Sequence, residues 1–257
     1  MGQNRATERI SFDEALVEMP RTEAHVKTVL ARLRQLCSFA SNATVLDVGA
    51  GQGLALIACA REGLKAIGVE PWEQARQTGL RLAEHEGVEI KLLAGKAESI
   101  PLPSSVCDVV LANTVIEHVI DAAAAFAEVY RILKPGGVFW FSTVSSLCPH
   151  QSEISGFPFF GWYPNWLKVR IMIWAKTNKP SLIGYTETPA LNWFTPWKAR
   201  QMLNCAGFKR IYDRWEIRLP SEGDAVCRAI TRIIRAYALA KLCADILIPG
   251  CAYAAVK

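Results

Sequence analysis

A chain of 257 residues, 51% of them hydrophobic, can bury a substantial core as one domain plus an insertion and is short for two full domains. Its formal charge of +5 comes without a dense Lys/Arg block, which argues against a dedicated nucleic-acid binder. Eight cysteines with no Cys-x-x-Cys pair, and no histidines paired at metal-ligand spacing, argue against a metal centre and fit a reducing cytoplasm.

Met1 to Phe12 lacks the apolar core of a signal peptide, and no run of 18 uncharged apolar residues occurs, so a cytoplasmic chain without a membrane span is expected. Val26, Val29, Leu30, Leu33 and Leu36 recur at helical spacing and predict a helix over residues 13–37. An alternation of strand and helix follows. Strands are predicted over 44–48, 66–69, 88–93, 107–112 and 138–142, with helices over 54–61, 71–86 and 121–133, the last stopped by Lys134-Pro135-Gly136-Gly137. That order implies right-handed crossovers and a mostly parallel sheet covered on both faces, with ligand loops at the carboxyl ends of its strands.

From about 148 to 190 the pattern breaks into a stretch rich in Pro, Gly and aromatics. It is too apolar for disorder and reads as an inserted lid. A helix over 196–205, a strand over 208–215, a long helix over 224–243 and a final strand over 250–256 complete the expected set.

Val48 runs into Gly49-Ala50-Gly51-Gln52-Gly53, where three glycines let the backbone turn tightly and approach a ligand at the start of the next helix. The spacing is Gly-x-Gly-x-Gly, and Leu54 and Leu56 stand where a dinucleotide fingerprint needs its third glycine, so the loop suits a nucleoside-like ligand without a pyrophosphate. Glu70 ends the second strand 17 residues after Gly53, where a carboxylate can accept from both ribose hydroxyls.

Together with Ala97-Glu98-Ser99-Ile100-Pro101-Leu102, Cys107-Asp108-Val109-Val110, Glu117-His118-Val119 and Arg131-Ile132-Leu133-Lys134-Pro135-Gly136-Gly137, these segments resemble the ordered motifs of class I S-adenosylmethionine-dependent methyltransferases. The branch they are most similar to contains the ubiquinone and menaquinone biosynthesis enzymes. The resemblance covers roughly residues 40–145 and supplies only topology beyond that. It implies an α/β, Rossmann-like, doubly wound seven-stranded sheet, mostly parallel, with an antiparallel closing strand and an inserted lid. The implied organisation is an N-terminal helical segment over 1–40 and a methyltransferase domain over 41–257.

The resemblance also implies site roles. Gly49, Gly51 and Gly53 line the methionine and ribose part of S-adenosylmethionine, Glu70 holds the ribose, Ala97 and Glu98 lie beside the adenine, and Asn113 lies near the methionine end. Asp47 orders the glycine loop or meets the methionine ammonium through water. Lys96 departs from the family, whose members often carry an Asp there that accepts from the adenine amino group; lysine cannot accept a hydrogen bond.

A hydroxyl nucleophile needs a base, and His118, after the fourth strand, and His150, at the start of the lid, are the candidates, with Glu153 and Tyr163 behind them. The expected partner is a small hydrophobic or lipid-linked acceptor, methylated at oxygen in preference to nitrogen or carbon. Tryptophans interleaved with basic residues over 166–176 add peripheral membrane association to the expectation. A nucleic-acid target is disfavoured because Asn113 is followed by Thr114-Val115, not by the double proline and aromatic that grip a flipped base. A protein methyltransferase, or a silent fold serving as a scaffold subunit, is the remaining alternative.

Overall fold

The computed structural model describes residues 11–183 and 188–257; the first ten residues of the N-terminal segment and residues 184–187 of the insertion lie outside it. Seven strands form one open sheet in the order β3-β2-β1-β4-β5-β7-β6. They are β1 (Thr44–Val48), β2 (Lys65–Val69), β3 (Lys91–Leu93), β4 (Cys107–Asn113), β5 (Leu133–Val144), β6 (Arg210–Asp213) and β7 (Gly250–Val256). β7 runs antiparallel to both β5 and β6, and the β1–β2, β1–β4, β2–β3 and β4–β5 pairs are parallel.

Eight helices flank the sheet among the described residues: α1 (Phe12–Leu33), α2 (Leu54–Arg61), α3 (Glu73–His85), α4 (Ala122–Ile132), α5 (Asn165–Asn178), α6 (Pro196–Ala206), α7 (Ala225–Ala236) and α8 (Ala238–Leu247). Each sheet face packs its own apolar layer. One joins α4 and α6 to Phe139 and Phe141 of β5, with Phe126, Phe194 and Phe208 filling in; the other joins α1 and α2 to Val45, Val109 and Trp140. Burial of this kind contributes roughly 1.5–3 kcal/mol per large side chain and dominates the fold's stability.

Several predicted boundaries move, each for a local reason. α1 begins on a capping box, Ser11 Oγ accepting from Glu14 N while Glu14 returns the bond, and it stops at Leu33 because residues 35–36 close tighter i→i+3 turns. Pro71 lies outside α3: the Glu70 carboxylate accepts from Trp72 N at 3.0 Å, which holds Trp72 extended and delays the helix to Glu73. β3 shrinks to three residues because Val88 folds back onto the end of α3 through Ala83 O. β5 starts earlier than expected, at Leu133, since Lys134-Pro135-Gly136-Gly137 bulges out between two registers with β4 and pairs with Lys257.

Two larger expectations are corrected. The stretch over 148–190 is not irregular throughout: it holds the 14-residue α5, whose Lys168, Met172 and Ala175 face its own small core with Phe160 and Trp193. The long helix over 224–243 is two helices broken at Tyr237, where φ −123° and ψ 119° are extended. Each half is tied separately to the end of β6, α7 by Arg235 Nε donating to Trp215 O at 2.7 Å and α8 by Trp215 Nε1 donating to Asp245 Oδ1 at 2.9 Å. One straight rod does not satisfy both ties.

Candidate active site

The carboxyl end of β1 enters the glycine loop with Gly49 N and Ala50 N both donating to Val69 O of β2, at 2.8 and 3.1 Å. Gly49, Gly51 and Gly53 all have positive φ, of 69°, 54° and 72°. At Gly49 a Cβ would lie 2.6 Å from Val115 Cγ2, so the loop after β4 closes directly on this backbone. At Gly51 it would meet nothing within 4 Å. The Gly51 backbone therefore faces open space that any side chain would fill.

Two buried carboxylates stand beside that space. Glu70 accepts from Gly51 N through Oε2 at 2.9 Å and from Trp72 N through Oε1 at 3.0 Å, and each oxygen keeps a lone pair for a further donor. Asp47 has no hydrogen-bond donor among the described residues, and burial, with the Glu70 charge added, pushes its carboxyl up to about 7. A ribose diol suits Glu70, and an ammonium group suits Asp47, whose ionised form it would stabilise. The residues thus fit S-adenosylmethionine, whose ribose Glu70 would hold and whose methionine ammonium Asp47 would face.

The segment expected beside the adenine is braced by its own contacts. Ala97 is buried in the main core. Glu98 points its Oε1 at Ile120 N, 2.8 Å away, and at Asp121 N, 3.5 Å away, which makes it a brace on the approach to α4. Lys96 is exposed and bridges to Ser99 across a tight turn. Arg131 holds this segment by donating to the carbonyls of Ile100 and Leu102.

The loop that closes on Gly49 through Val115 leaves the end of β4. Asn113 is exposed and accepts from Ser142 Oγ at 2.5 Å, while Thr114 adopts a left-handed φ of 53°, stabilised by its N–H donating to Ser142 O at 3.1 Å. A non-glycine residue held there is locally strained. His118 is half-buried, and its Nδ1 has no hydrogen-bond partner. Burial holds its imidazole below the ordinary value against the opposing effects of the Glu153 charge and the backbone at Pro189 and Thr188. His150 is exposed in the turn after β5, and Tyr163 packs on Phe160 with ring centroids 5.5 Å apart.

Glu117 is the residue that sequence reasoning passed over. It is fully buried, accepts from Thr143 Oγ1 at 2.8 Å, and leaves Oε1 without a partner. Its backbone carbonyl accepts from Leu191 N and Asn192 N, which ties the strap after the insertion to the His118 loop. The available signal was a carboxylate between two apolar residues and a histidine in Ile116-Glu117-His118-Val119.

Burial pushes Glu117 from 4.5 up to about 7. The folded state then binds more protons than the unfolded chain between those values, so this group makes stability fall as pH rises from about 4.5 to 7. Glu117→Gln removes the effect. In urea unfolding, the loss of stability between pH 5 and pH 7 is expected to shrink by about 2 kcal/mol relative to wild type. An identical pH dependence in both proteins would show that Glu117 ionises in the fold as freely as in water.

Comparison with known proteins bears on the family and the fold. The family described as "Methyltransferase domain" matches residues 46–141, from β1 through β5. A ubiquinone biosynthesis O-methyltransferase of Paramagnetospirillum magneticum is 35% identical over 102 residues, covering 40% of this chain and 41% of that protein. One from Maricaulis maris is 32% identical over 142 residues, covering 54% of each. The chain thus spans about half the length of the curated relatives it matches. The crystal structure of an S-adenosylmethionine-dependent methyltransferase from Mesorhizobium loti superposes with a TM-score of 0.59 at 16% identity, over 88% of this chain and 96% of that one. Sheet order, glycine loop and family match converge on residues 46–141, a methyltransferase domain with the fold of the class I S-adenosylmethionine-dependent enzymes.

Proposed function

We propose that this protein transfers a methyl group from S-adenosylmethionine to a hydroxyl of a small hydrophobic or lipid-linked acceptor. The observation that carries the reading is the open space at Gly51, whose N–H donates to the buried Glu70, with the buried Asp47 at the end of β1, the strand that leads to it. When bound, the cofactor supplies an electrophilic methyl on a sulfonium whose thioether leaves neutral, so no group of the protein has to protonate it. The chain's own work is orientation, an effect that can contribute on the order of 7–11 kcal/mol. His118 accepts the hydroxyl proton: burial keeps the imidazole neutral at pH 7, which leaves it able to act as a base. The names of the two relatives support oxygen as the methylated atom and a lipid-linked acceptor.

The test is transfer of tritium from S-[methyl-³H]-adenosylmethionine to a panel of phenolic, aliphatic and prenylated alcohols, with DNA, RNA and protein pools beside them. Label in a phenol or prenylated alcohol supports the reading. Label confined to a polymer pool overturns it.

Among the described residues no helix is long and apolar enough to cross a membrane. The outer face of α5 exposes Trp166, Ile173 and Trp174 around Arg170, a composition suited to the boundary between water and lipid. Peripheral attachment at this face would bring a lipid-linked acceptor to the site of a cytoplasmic protein. The double variant Trp166→Ala/Trp174→Ala is expected to lose most of its co-sedimentation with phosphatidylglycerol vesicles while keeping its affinity for S-adenosylhomocysteine. Equal sedimentation of both proteins would place the contact elsewhere.

A further inference from the structure

The buried face of α5 contains a residue that burial alone does not favour. Lys168, Met172 and Ala175 turn inward together, and Lys168 is 1% exposed. Its Nζ lies over the Trp193 ring, 5.1 Å from the centroid. Lys198, half-buried in the first turn of α6, sets its own Nζ over Phe194 at 5.3 Å and donates to Trp193 O at 3.4 Å. Two cations from two elements thus stand on the rings of consecutive strap residues, Trp193 in the insertion core and Phe194 in the main core.

A desolvated cation–π contact offsets only part of the cost of burying an ammonium. The two charges also oppose each other: burial first, and Lys198 second, lower Lys168 to about 8. Among the described residues no carboxylate forms an ion pair with either lysine. Anchoring α5 to the strap would explain one lysine on one ring. It does not explain a second cation brought beside the first.

The strap itself belongs to the site already described. Leu191 N and Asn192 N donate to Glu117 O, and Ser146 N donates to Phe194 O, so residues 191–194 link the loop bearing His118 to the chain leaving β5. We infer that Lys168 and Lys198 are the receptor for a phosphoryl group carried by the acceptor. The inference rests on the proposed methyl transfer for the word acceptor, and on the lysine pair for the anion. A phosphomonoester carries about two negative charges near pH 7 and matches both lysines, whereas a carboxylate would leave one uncompensated.

Isothermal titration with phenyl phosphate, benzoate and phenol, in the presence and absence of S-adenosylhomocysteine, tests this on wild type, Lys168→Met and Lys198→Met. The expected result is at least tenfold tighter binding of phenyl phosphate than of benzoate or phenol. Each variant should lose at least tenfold while its S-adenosylhomocysteine affinity stays within twofold of wild type. Lys168→Met should melt no lower than wild type, because it removes an unpaired buried charge; a clear fall would mark the lysine as a packing element and overturn the inference.

Phenyl phosphate bound no better than phenol, or equally by all three proteins, would also overturn it. Should Lys168→Met fail to fold, Lys198→Met alone decides by the same readout. If wild type binds phenyl phosphate through the lysines but never binds S-adenosylhomocysteine, the anion receptor stands and the methyltransferase reading falls.

Discussion

Gly51→Arg is expected to abolish cofactor binding while leaving the protein folded. Gly51 sits at φ 54°, and its Cβ position looks into space empty for 4 Å, so the arginine side chain has no wall to displace and occupies the cradle itself. The left-handed backbone adds strain on the order of 1 kcal/mol, well short of unfolding a domain of this size. Thermal melting reads both effects. Wild type in S-adenosylhomocysteine at about 100 times its dissociation constant should gain about 2.7 kcal/mol, a rise of roughly 5–10 °C. Gly51→Arg should melt within a few degrees of unliganded wild type and show no rise. A ligand-induced rise equal to that of wild type would mean that the cofactor does not pass over Gly51.

His118→Ala should lower kcat by about 10²- to 10⁴-fold on a hydroxyl acceptor, with little change in S-adenosylhomocysteine affinity. The imidazole is half-buried on the loop after β4, and its ordinary value is lowered, so wild-type activity should rise through a limb below pH 6.5 and then level off. The variant should lose that limb. Glu117, one residue earlier and fully buried against Thr143, orients this loop; Glu117→Gln should move the limb without removing it. His150, exposed at the start of the insertion, serves as the control: His150→Ala should leave kcat unchanged. A kcat for His118→Ala within twofold of wild type would show that proton transfer does not need this residue.

The parallel half of the fold was legible because β-branched runs such as Val45 to Val48 and Val109 to Leu111 are buried on both faces and are punctuated by glycine and proline. The glycine loop and Glu70 were legible for a related reason: approach of a ligand to backbone restricts which residues can stand there. What escaped depends on tertiary partners. The break at Tyr237 has no local cause and follows from separate ties of α7 and α8 to Trp215. α5 escaped because it carries a lysine on its buried face and tryptophans on its exposed one, the reverse of an ordinary amphipathic helix. The bonds from the backbone N–H groups at Ile120 and Asp121 to the Glu98 carboxylate join segments more than 20 residues apart and leave no trace in the linear sequence. Glu117 is invisible as a site residue until Thr143 and the strap at Leu191 are seen around it.

Isothermal titration of wild type and Glu70→Ala with S-adenosylhomocysteine decides whether the site at Gly51, Glu70 and Asp47 holds S-adenosylmethionine. Wild type is expected to show saturable one-to-one binding. Glu70→Ala is expected to bind at least tenfold more weakly, since it loses the carboxylate proposed for the ribose and the bond that holds Gly51 N. A folded wild type that binds neither S-adenosylhomocysteine nor S-adenosylmethionine, or a Glu70→Ala variant that binds as tightly as wild type, would mean that the cofactor is not held at this site.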